Sequence, residues 1–236
     1  MMCYELIIHS QASYIIDKGS YGDSRESAFL LHAQQSSFYT ISKRIVDIIV
    51  ACLGLAVLGL LLPLITLLIV CEDGGPVFYR QVRVGYQCQP FTIYKIRSMV
   101  LDADHYLTRY PQLRAEWERV GKLKHDPRIT RLGAVLRRTS LDELPQMLNI
   151  LRGEMSLVGP RAIQFSELVA FGDLIELRQT TKPGLTGLWQ ICGRSATDYE
   201  QRRVLDCTYV LQRSLSLDLY IVAHTFPVVL HGMGAY

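Results

Sequence analysis

The stretch IIVACLGLAVLGLLLPLITLLIVC, residues 48–71, contains 24 consecutive positions without a charged side chain. As a straight helix it would be about 36 Å long, which exceeds the roughly 30 Å hydrocarbon thickness of a bilayer. A cleavable signal peptide is excluded, because the run begins at residue 48 and is too long for the apolar part of such a peptide. The sequence therefore predicts a membrane segment at residues 39–72.

Pro63 lies inside this apolar run and predicts a break in the helix, because proline removes one backbone hydrogen bond and clashes with the preceding turn. Basic residues flank both ends of the run: Lys43 and Arg44 precede it, and Arg80, Arg83, Lys95 and Arg97 follow it. A spanning helix would place one flank outside the cell, against the positive-inside tendency. Hydropathy alone favours a spanning helix. The proline and the charges favour a re-entrant helix that returns to the cytoplasmic face of the inner membrane.

The rest of the chain, residues 73–236, is long enough for one domain with its own core. A net charge of +3 and a mean hydropathy of +0.16 exclude an extensively disordered protein and give no argument for nucleic acid as a partner. The six cysteines are scattered without a C-x-x-C pair, which excludes the usual zinc spacings, and a disulfide framework is not expected at this size. Residues 1–38 form an N-terminal extension in which no chemistry is visible.

Two β-rich runs, residues 77–84 and 91–98, are separated by a turn that contains Gly85, and they predict a β-hairpin. In the second run Lys95 and Arg97 would leave the same face, about 7 Å apart. Two cations this close repel each other unless an anion lies between them. We expect an α/β fold, in which a small hairpin or sheet is surrounded by amphipathic helices and rests on the membrane.

Apolar residues then recur at helical spacing, and Pro111 is expected to divide this stretch into two helices. The stripe consists of Tyr106, Tyr110, Leu113, Trp117 and Val120. It fits ordinary core packing, and it also fits a helix in the membrane interface with its rings at headgroup level. Residues 119–138 carry a net charge of +6, which indicates a solvated face or contact with anionic lipid or phosphate. No nucleic-acid-binding motif accompanies this charge.

The densest chemical pattern is RRTSLDELPQ, residues 137–146. Ser140 and Glu143 match a capping box, which alone predicts only a helix start, yet this register puts Pro145 at the fifth helical position. With Asp142 as the cap, Pro145 falls at the third position and no hydrogen bond is lost. Either register places Asp142 at a helix N-terminus beside two arginines, features that lower a carboxylate pKa and bind phosphate.

An ionised Asp142 would be repelled by a phosphoryl group unless a cation intervened. Mg²⁺ held by an adjacent acid removes this obstacle, since it suits one carboxylate plus substrate phosphates. Asp142 could then attack phosphorus and form an aspartyl-phosphate ester. The pattern permits this chemistry, and an ordinary helix start remains the alternative.

Several longer motifs follow one another in a characteristic order along the chain. They are YKIRSM (94–99), DPRIT (126–130), SLDELPQ (140–146), GEMSLVGPR (153–161), KPGLTGLWQ (182–190) and the ending GAY (234–236). With the membrane run, this series resembles the bacterial sugar transferases, the monotopic polyprenyl-phosphate phosphoglycosyltransferases that start exopolysaccharide or glycoconjugate synthesis. The resemblance runs from about Lys43 to the C-terminus.

The resemblance implies transfer of a sugar 1-phosphate from a UDP-sugar to undecaprenyl phosphate, with release of UMP and a need for Mg²⁺. By motif, Asp142 is the nucleophile of a two-step reaction and Glu143 is the Mg²⁺ ligand. Four basic residues are expected near the phosphates: Lys95, Arg97, Arg137 and Arg161. A re-entrant helix broken at a proline is also a feature of the family, and Pro63 is the matching residue.

Two other functions stay open from the sequence. An aspartyl-phosphate hydrolase would share the nucleophile and use water as the acceptor, although a soluble phosphatase needs no membrane segment. A membrane adaptor that binds anionic lipid would explain the basic residues 119–138 and leave the acidic pair unexplained. The sequence has no P-loop and no G-x-G-x-x-G, so nucleotide motors and dinucleotide enzymes have no support.

Overall fold

The computed structural model describes residues 36–120, 123, 125–172, 174–192 and 199–230. The predicted N-terminal extension lies outside these residues except for positions 36–38, as do the ending at 234–236 and positions 121, 122 and 124 of the basic stretch. The predicted boundaries of the N-terminal extension (1–38), the membrane segment (39–72) and the domain that follows (73–236) therefore stay predictions.

The first helix, α1 (Ser37–Asp73), contains the whole apolar run. It begins where the Ser36 hydroxyl accepts a hydrogen bond from the Phe38 amide, and it ends where left-handed Gly74 donates its amide to the Val70 carbonyl. The helix continues through Pro63, so the structure does not show the interruption expected there. One missing hydrogen bond is tolerated because the residues around it pack on the rest of the chain. The re-entrant path itself stays a prediction.

One face of α1 lies along the rest of the protein from end to end. The buried residues of this face recur every four or seven positions, which is the stripe that a packed helix presents: Asp47, Ala51, Leu58, Ile65 and Ile69. The opposite face is apolar and exposed, and it includes Ile41, Ile45, Ile49, Leu53, Leu60, Leu64 and Leu67. Within the described residues α1 is the one helix long and apolar enough to cross a membrane.

Both ends of α1 are tied to the domain that follows it. Near the start, Arg44 donates hydrogen bonds of 2.6 and 2.8 Å to the carbonyls of Ile150 and Leu151. At the end, the Glu72 carboxylate accepts the Arg131 amide at 2.8 Å. Because both ends contact the same domain, α1 lies against that domain rather than projecting away from it.

The predicted hairpin is confirmed. Strand β1 (Phe78–Val84) pairs antiparallel with β2 (Pro90–Ile96), with Tyr79 opposite Lys95 and Arg83 opposite Phe91. A second small sheet joins β3 (Ser156–Val158) and β4 (Gly184–Thr186) in parallel. The expectation of a small sheet surrounded by helices is thus confirmed at this coarse level, since most of the described residues are helical.

The remaining helices are mostly short. They are α2 (Ala103–Arg109), α3 (Pro111–Val120), α4 (Arg131–Arg138), α5 (Met147–Arg152), α6 (Leu168–Phe171), α7 (Leu174–Arg178), α8 (Leu188–Ile191), α9 (Tyr199–Gln212) and α10 (Leu215–Leu230). The part of the chain that the structure describes also has three 3₁₀-helices: Tyr86–Cys88, Leu141–Gln146 and Phe165–Glu167. The division of one predicted helix at Pro111 is confirmed by the bounds of α2 and α3.

The aromatic stripe on α2 and α3 does not form part of the core. Tyr110 is 49% exposed and Trp117 is 38% exposed, while the rings of Tyr106 and Tyr110 pack on each other with centroids 4.9 Å apart. This exposure disfavours the core interpretation of the stripe and suits amphipathic helices at an interface.

The apolar core holds the 3₁₀-helix Leu141–Gln146 between β2 and α1. Its Leu141 and Leu144 pack with Leu58 and Ile65 of α1 and with Ile96 of β2. The short acidic segment is therefore fixed by the apolar helix on one side and by the hairpin on the other.

Candidate active site

The acidic pair lies in the first turn of the 3₁₀-helix, as the sequence indicates for a helix start. Ser140 occupies the position before this helix in a left-handed conformation (φ 56°), and its side chain makes no capping hydrogen bond. The capping-box register, one of the two left open by the sequence, therefore does not form. Asp142 does not cap an α-helix either, because α5 begins only at Met147. Pro145 supplies no N–H to this 3₁₀-helix, whose first bond runs from the Glu143 amide to the Ser140 carbonyl at 3.2 Å.

Three of the four predicted basic residues converge on the acidic pair. The Lys95 ammonium lies 2.6 Å from Oε1 of Glu143, and the Arg161 guanidinium lies 3.6 Å from the same oxygen. Arg137 is close enough for its charge to act on Asp142. These cations come from β2, from the end of α4 and from the loop after β3, so the fold unites groups that are far apart in sequence.

Hydrogen bonds hold two of these cations in place. Arg137 donates from Nε to the Ser98 hydroxyl at 2.8 Å. Arg161 follows β3, where the Gly184 amide donates to the Pro160 carbonyl at 2.7 Å, and the Arg161 carbonyl accepts from the buried guanidinium of Arg178. The Arg137 guanidinium is therefore held directly, whereas Arg161 is fixed through its backbone.

Arg97 is located away from the acidic pair. Strand β2 ends at Ile96, and the Arg97 guanidinium donates to both carboxylate oxygens of Asp73 and, from Nε, to the Pro76 carbonyl at 2.7 Å. A Cβ atom at Gly75 would lie 2.7 Å from Nη2 of Arg97, so glycine leaves the room for this pair. Lys95 and Arg97 thus have separate carboxylate partners and do not share one anion. A phosphate contact for Arg97 stays a prediction.

The pKa of Asp142 is raised to about 6. Burial is the main cause, since the residue is only 7% exposed, and the neighbouring Glu143 carboxylate adds to it. Lys95, Arg137 and Arg161 act in the opposite direction without cancelling the effect. The sequence-based expectation of a lowered pKa is therefore wrong, because residue spacing reveals the cations but not the burial.

The two carboxylates fit a magnesium ion in the way that enzymes acting on phosphates hold it. Within the described residues no group of three or more His, Cys, Asp or Glu side chains could form a complete protein cage. Mg²⁺ commonly takes one or two carboxylates and completes its shell with phosphates and water. The crowding that raises the Asp142 pKa is also relieved by a divalent cation. Glu143, with Asp142 beside it, would hold the ion.

A cavity opens beside the acidic pair. Lys95, Glu143, Gln146 and Arg161 line it, together with Arg83 and Ile93 of the hairpin. Sequence reasoning used Arg83 only as a flanking charge and missed its place in this cavity. The alternation of the predicted strands could have found it, because Arg83 shares a hairpin face with Ile93 and Lys95.

A second cavity adjoins the first and shares Arg83, Arg161 and Ala162 with it. Its further lining includes Trp189, whose ring lies 5.7 Å from the Arg161 guanidinium carbon and 4.7 Å from that of Arg202. The two adjoining cavities, which we call the cleft, extend from Glu143 of the acidic pair to the Trp189 ring.

Comparison with known proteins gives concordant matches. A family profile described as bacterial sugar transferase matches residues 38–232. The exopolysaccharide production protein ExoY of Sinorhizobium fredii is 44% identical over 200 residues, covering 83% of this chain and 88% of ExoY. The undecaprenyl-phosphate galactose phosphotransferase of Salmonella typhimurium is 47% identical over 171 residues, covering 71% of this chain and 36% of that protein.

A third relative is the UDP-glucose:undecaprenyl-phosphate glucose-1-phosphate transferase of Escherichia coli. It is 40% identical over 189 residues, which cover 76% of this chain and 38% of the relative. The chain therefore spans most of ExoY but less than half the length of the two transferases.

Proposed function

The chain belongs to the bacterial sugar transferase family, and on that premise we propose that it transfers a sugar 1-phosphate from a UDP-sugar to undecaprenyl phosphate at the cytoplasmic face of the bacterial inner membrane. The products are UMP and undecaprenyl-diphosphate-sugar, the first lipid-linked intermediate of a polysaccharide. The observation that carries this proposal is the buried carboxylate of Asp142, beside Glu143 and faced by three cations, next to a helix with an exposed apolar face.

In the first step, a carboxylate oxygen of Asp142 attacks the phosphorus atom that bears the sugar. The bond from this phosphorus to the bridging oxygen breaks, and UMP leaves with that oxygen and the electron pair. The product is an aspartyl phospho-sugar ester. Ionised Asp142 is needed as the nucleophile, and a pKa of about 6 leaves it mostly ionised near neutral pH.

In the second step, a phosphate oxygen of undecaprenyl phosphate attacks the same phosphorus. The ester bond to Asp142 breaks, and its carboxylate is regenerated as the diphosphate forms. The apolar outer face of α1 supports a lipid acceptor, because it keeps this domain beside the membrane that holds undecaprenyl phosphate.

The basic residues neutralise charge that develops on the phosphates. Lys95 and Arg161 contact Glu143 and lie where a phosphate beside Asp142 would meet them, and Arg137 acts on Asp142 from the end of α4. A bound Mg²⁺ would supply further neutralisation of the diphosphate. Arg97 is held by Asp73 and fixes the end of α1, and its predicted phosphate contact has no support from these hydrogen bonds.

The test uses protein in lipid nanodiscs with Mg²⁺, undecaprenyl phosphate and a panel of UDP-sugars, and it measures UMP release. We expect lipid-dependent UMP with one of the donors, and Asp142→Asn should reduce it by about a thousandfold or more. With donor alone, intact-protein mass spectrometry should find a phospho-sugar adduct on Asp142. The matched control is Asp102→Asn, an exposed aspartate outside the cleft, which should keep full activity.

Other outcomes would identify another function. Inorganic phosphate released without lipid would indicate a hydrolase, and lipid binding without turnover would indicate an adaptor. Full activity of Asp142→Asn would remove the proposed nucleophile.

The membrane placement has a separate test. Both ends of α1 contact one domain, which supports both ends being on the cytoplasmic side. Single-cysteine variants that carry either Ser42→Cys or the native Cys71 would be treated with an impermeant maleimide. We expect labelling of both positions only after the inner membrane is opened. Labelling of Ser42→Cys from the periplasm would contradict the re-entrant placement.

A further inference from the structure

The cleft contains two arginines that face the same space. Arg83 from β1 and Arg161 from the loop after β3 both line the cavity at the acidic pair and the cavity beyond it. Their like charges act on each other: burial and the nearby Arg161 lower the pKa of Arg83. An anion between two such guanidinium groups would relieve this repulsion.

Arg83 is incompletely satisfied by its neighbours. Its Nη2 donates a short hydrogen bond of 2.6 Å to the Gln81 side chain, whereas its Nη1 has only long contacts, 3.4 Å to the Ala162 carbonyl and 3.5 Å to Glu167. Its Nε is buried and has no hydrogen-bond partner within the described residues. Buried donors normally have partners, so this arginine has capacity for a further acceptor.

The charges around the cleft leave a positive excess there. Arg83, Arg161 and Arg202 line the second cavity with two acids, Glu167 and Asp206. Asp206 is buried and paired with Arg178 at 3.0 Å. Glu167 accepts the Gln164 amide at 2.6 Å as part of a capping box. Asp206 is thus engaged by Arg178, and among the described residues that line this cavity Glu167 is the one acid that faces Arg83, at a long 3.5 Å from its Nη1.

We propose that Arg83 and Arg161 together bind the phosphate of the departing nucleoside monophosphate, and that the second cavity holds its nucleoside beside Trp189. This inference rests on the proposed function. Displacement at phosphorus places the attacking and leaving oxygens on opposite sides of the phosphorus atom. Asp142 adjoins Glu143, which lines the first cavity, so the leaving phosphate lies on the far side of phosphorus, towards the two arginines that line both cavities.

The alternative source of a phosphate is the lipid acceptor. The described residues that line the second cavity come from the hairpin, residues 161–171, α8 and α9, and none of them belongs to α1. A polyprenyl phosphate approaches from the membrane and thus along α1. The arginine pair therefore binds the donor rather than the acceptor.

The experiment compares the binding of UMP and of uridine to detergent-solubilised full-length protein, by calorimetry without turnover. For Arg83→Gln we expect UMP affinity to fall about 10- to 100-fold, because one charge-assisted contact to phosphate is lost. Uridine affinity should change by less than about threefold. Product inhibition by UMP should weaken in parallel, while the KM for undecaprenyl phosphate stays the same.

Arg80→Gln is the matched control, because Arg80 lies on the same strand, is exposed and packs on the Tyr94 ring. It should bind UMP like wild type. Arg83→Lys keeps the charge and serves as a second variant if Arg83→Gln fails to fold; it should retain part of the UMP affinity.

Three results would overturn the inference: wild-type UMP affinity in both Arg83 variants, equal loss of UMP and uridine, or a raised KM for the lipid alone. Loss of the proposed function is a different result, namely a wild-type protein that releases no UMP with any donor.

Discussion

Two clusters of opposite charges, the Arg97–Asp73 pair and the acidic pair with its cations, are organised differently. At the end of α1, Arg97 and Asp73 form a one-to-one pair in which both carboxylate oxygens are used, and hydrogen bonds from Arg97 lower the pKa of Asp73. At the acidic pair, two carboxylates crowd each other among three cations, and the pKa of Asp142 is raised. Lys95 and Arg97 are only two residues apart, yet each serves a different cluster.

The Arg97–Asp73 pair stabilises the fold, whereas the acidic pair has the charge balance of a ligand-binding site. In the Arg97–Asp73 pair each charge is neutralised by its partner, and the pair attaches the end of α1 to the hairpin. At the acidic pair, burial leaves a charge that the protein itself does not fully stabilise, and a ligand can complete the balance.

The largest effect on stability is expected from breaking the Arg97–Asp73 pair. Arg97→Ala removes a 9%-exposed guanidinium and leaves a carboxylate without its partner, which should lower the free energy of unfolding by about 3 kcal/mol. Urea unfolding in detergent measures it, and Arg97→Lys should recover part of the loss. Unchanged stability with lost UMP release would place Arg97 among the substrate-binding residues after all.

A pH profile should show the charge imbalance at the acidic pair. Formation of the phospho-sugar adduct with donor alone should fall about tenfold per pH unit below the Asp142 pKa, because protonated Asp142 is no nucleophile. This pKa is about 6 in the metal-free protein, and a bound Mg²⁺ would lower it. Lys95→Met should move this limb to higher pH, since the ammonium lowers the Asp142 pKa. The absence of an acid limb in both wild type and Lys95→Met would contradict a titrating Asp142 nucleophile that Lys95 influences.

The raised pKa of Asp142 should also lower the free energy of unfolding at neutral pH. The folded-state pKa of Asp142 is raised, so the folded protein binds more protons than the unfolded chain between about pH 4 and 6, and stability falls as pH rises through this range. At pH 7.5 Asp142→Asn should therefore be more stable than wild type by about 1–3 kcal/mol. The gain should shrink towards pH 4, as thermal unfolding at several pH values would show. A destabilised variant at pH 7.5 would contradict the sign.

The smallest effect is expected where opposite charges pair at the surface. Arg203 and Glu200 lie one helical turn apart on α9 at 2.8 Å, and the Glu200 side chain is 64% exposed. Glu200→Ala should change the free energy of unfolding by less than about 0.5 kcal/mol, because solvent screens the pair. A larger loss would show that pairing alone, without burial, stabilises this protein.

Sequence patterns correctly predicted the helices and strands that depend on residues adjacent in the chain. The apolar run predicted α1, the β-rich runs predicted the hairpin, and Pro111 predicted the division between α2 and α3. Alternation along β2 also placed Lys95 towards the site, although it put Arg97 on the same face without revealing that the strand ends at Ile96.

What could not be predicted depends on tertiary contacts. The capping box at Ser140 has the right spacing, but the left-handed conformation of this residue directs the chain into a 3₁₀-helix. The burial of Asp142 arises from packing against β2 and α1, so spacing alone gave the wrong direction for its pKa. Arg83 lines the first cavity beside Ile93 and Lys95 of the facing strand and beside Arg161 and Ala162 of the loop after β3.

The attachment of α1 at both ends has a consequence for how the enzyme meets its lipid. Arg44 and Glu72 fasten both ends of the helix to the domain that carries Asp142, so a change in the depth of the helix would move that domain with it. On the proposed placement, the height of the nucleophile above the bilayer is set by how deeply the outer face of α1 is immersed. Bilayer thickness and headgroup size then become determinants of turnover, with the cleft itself unchanged.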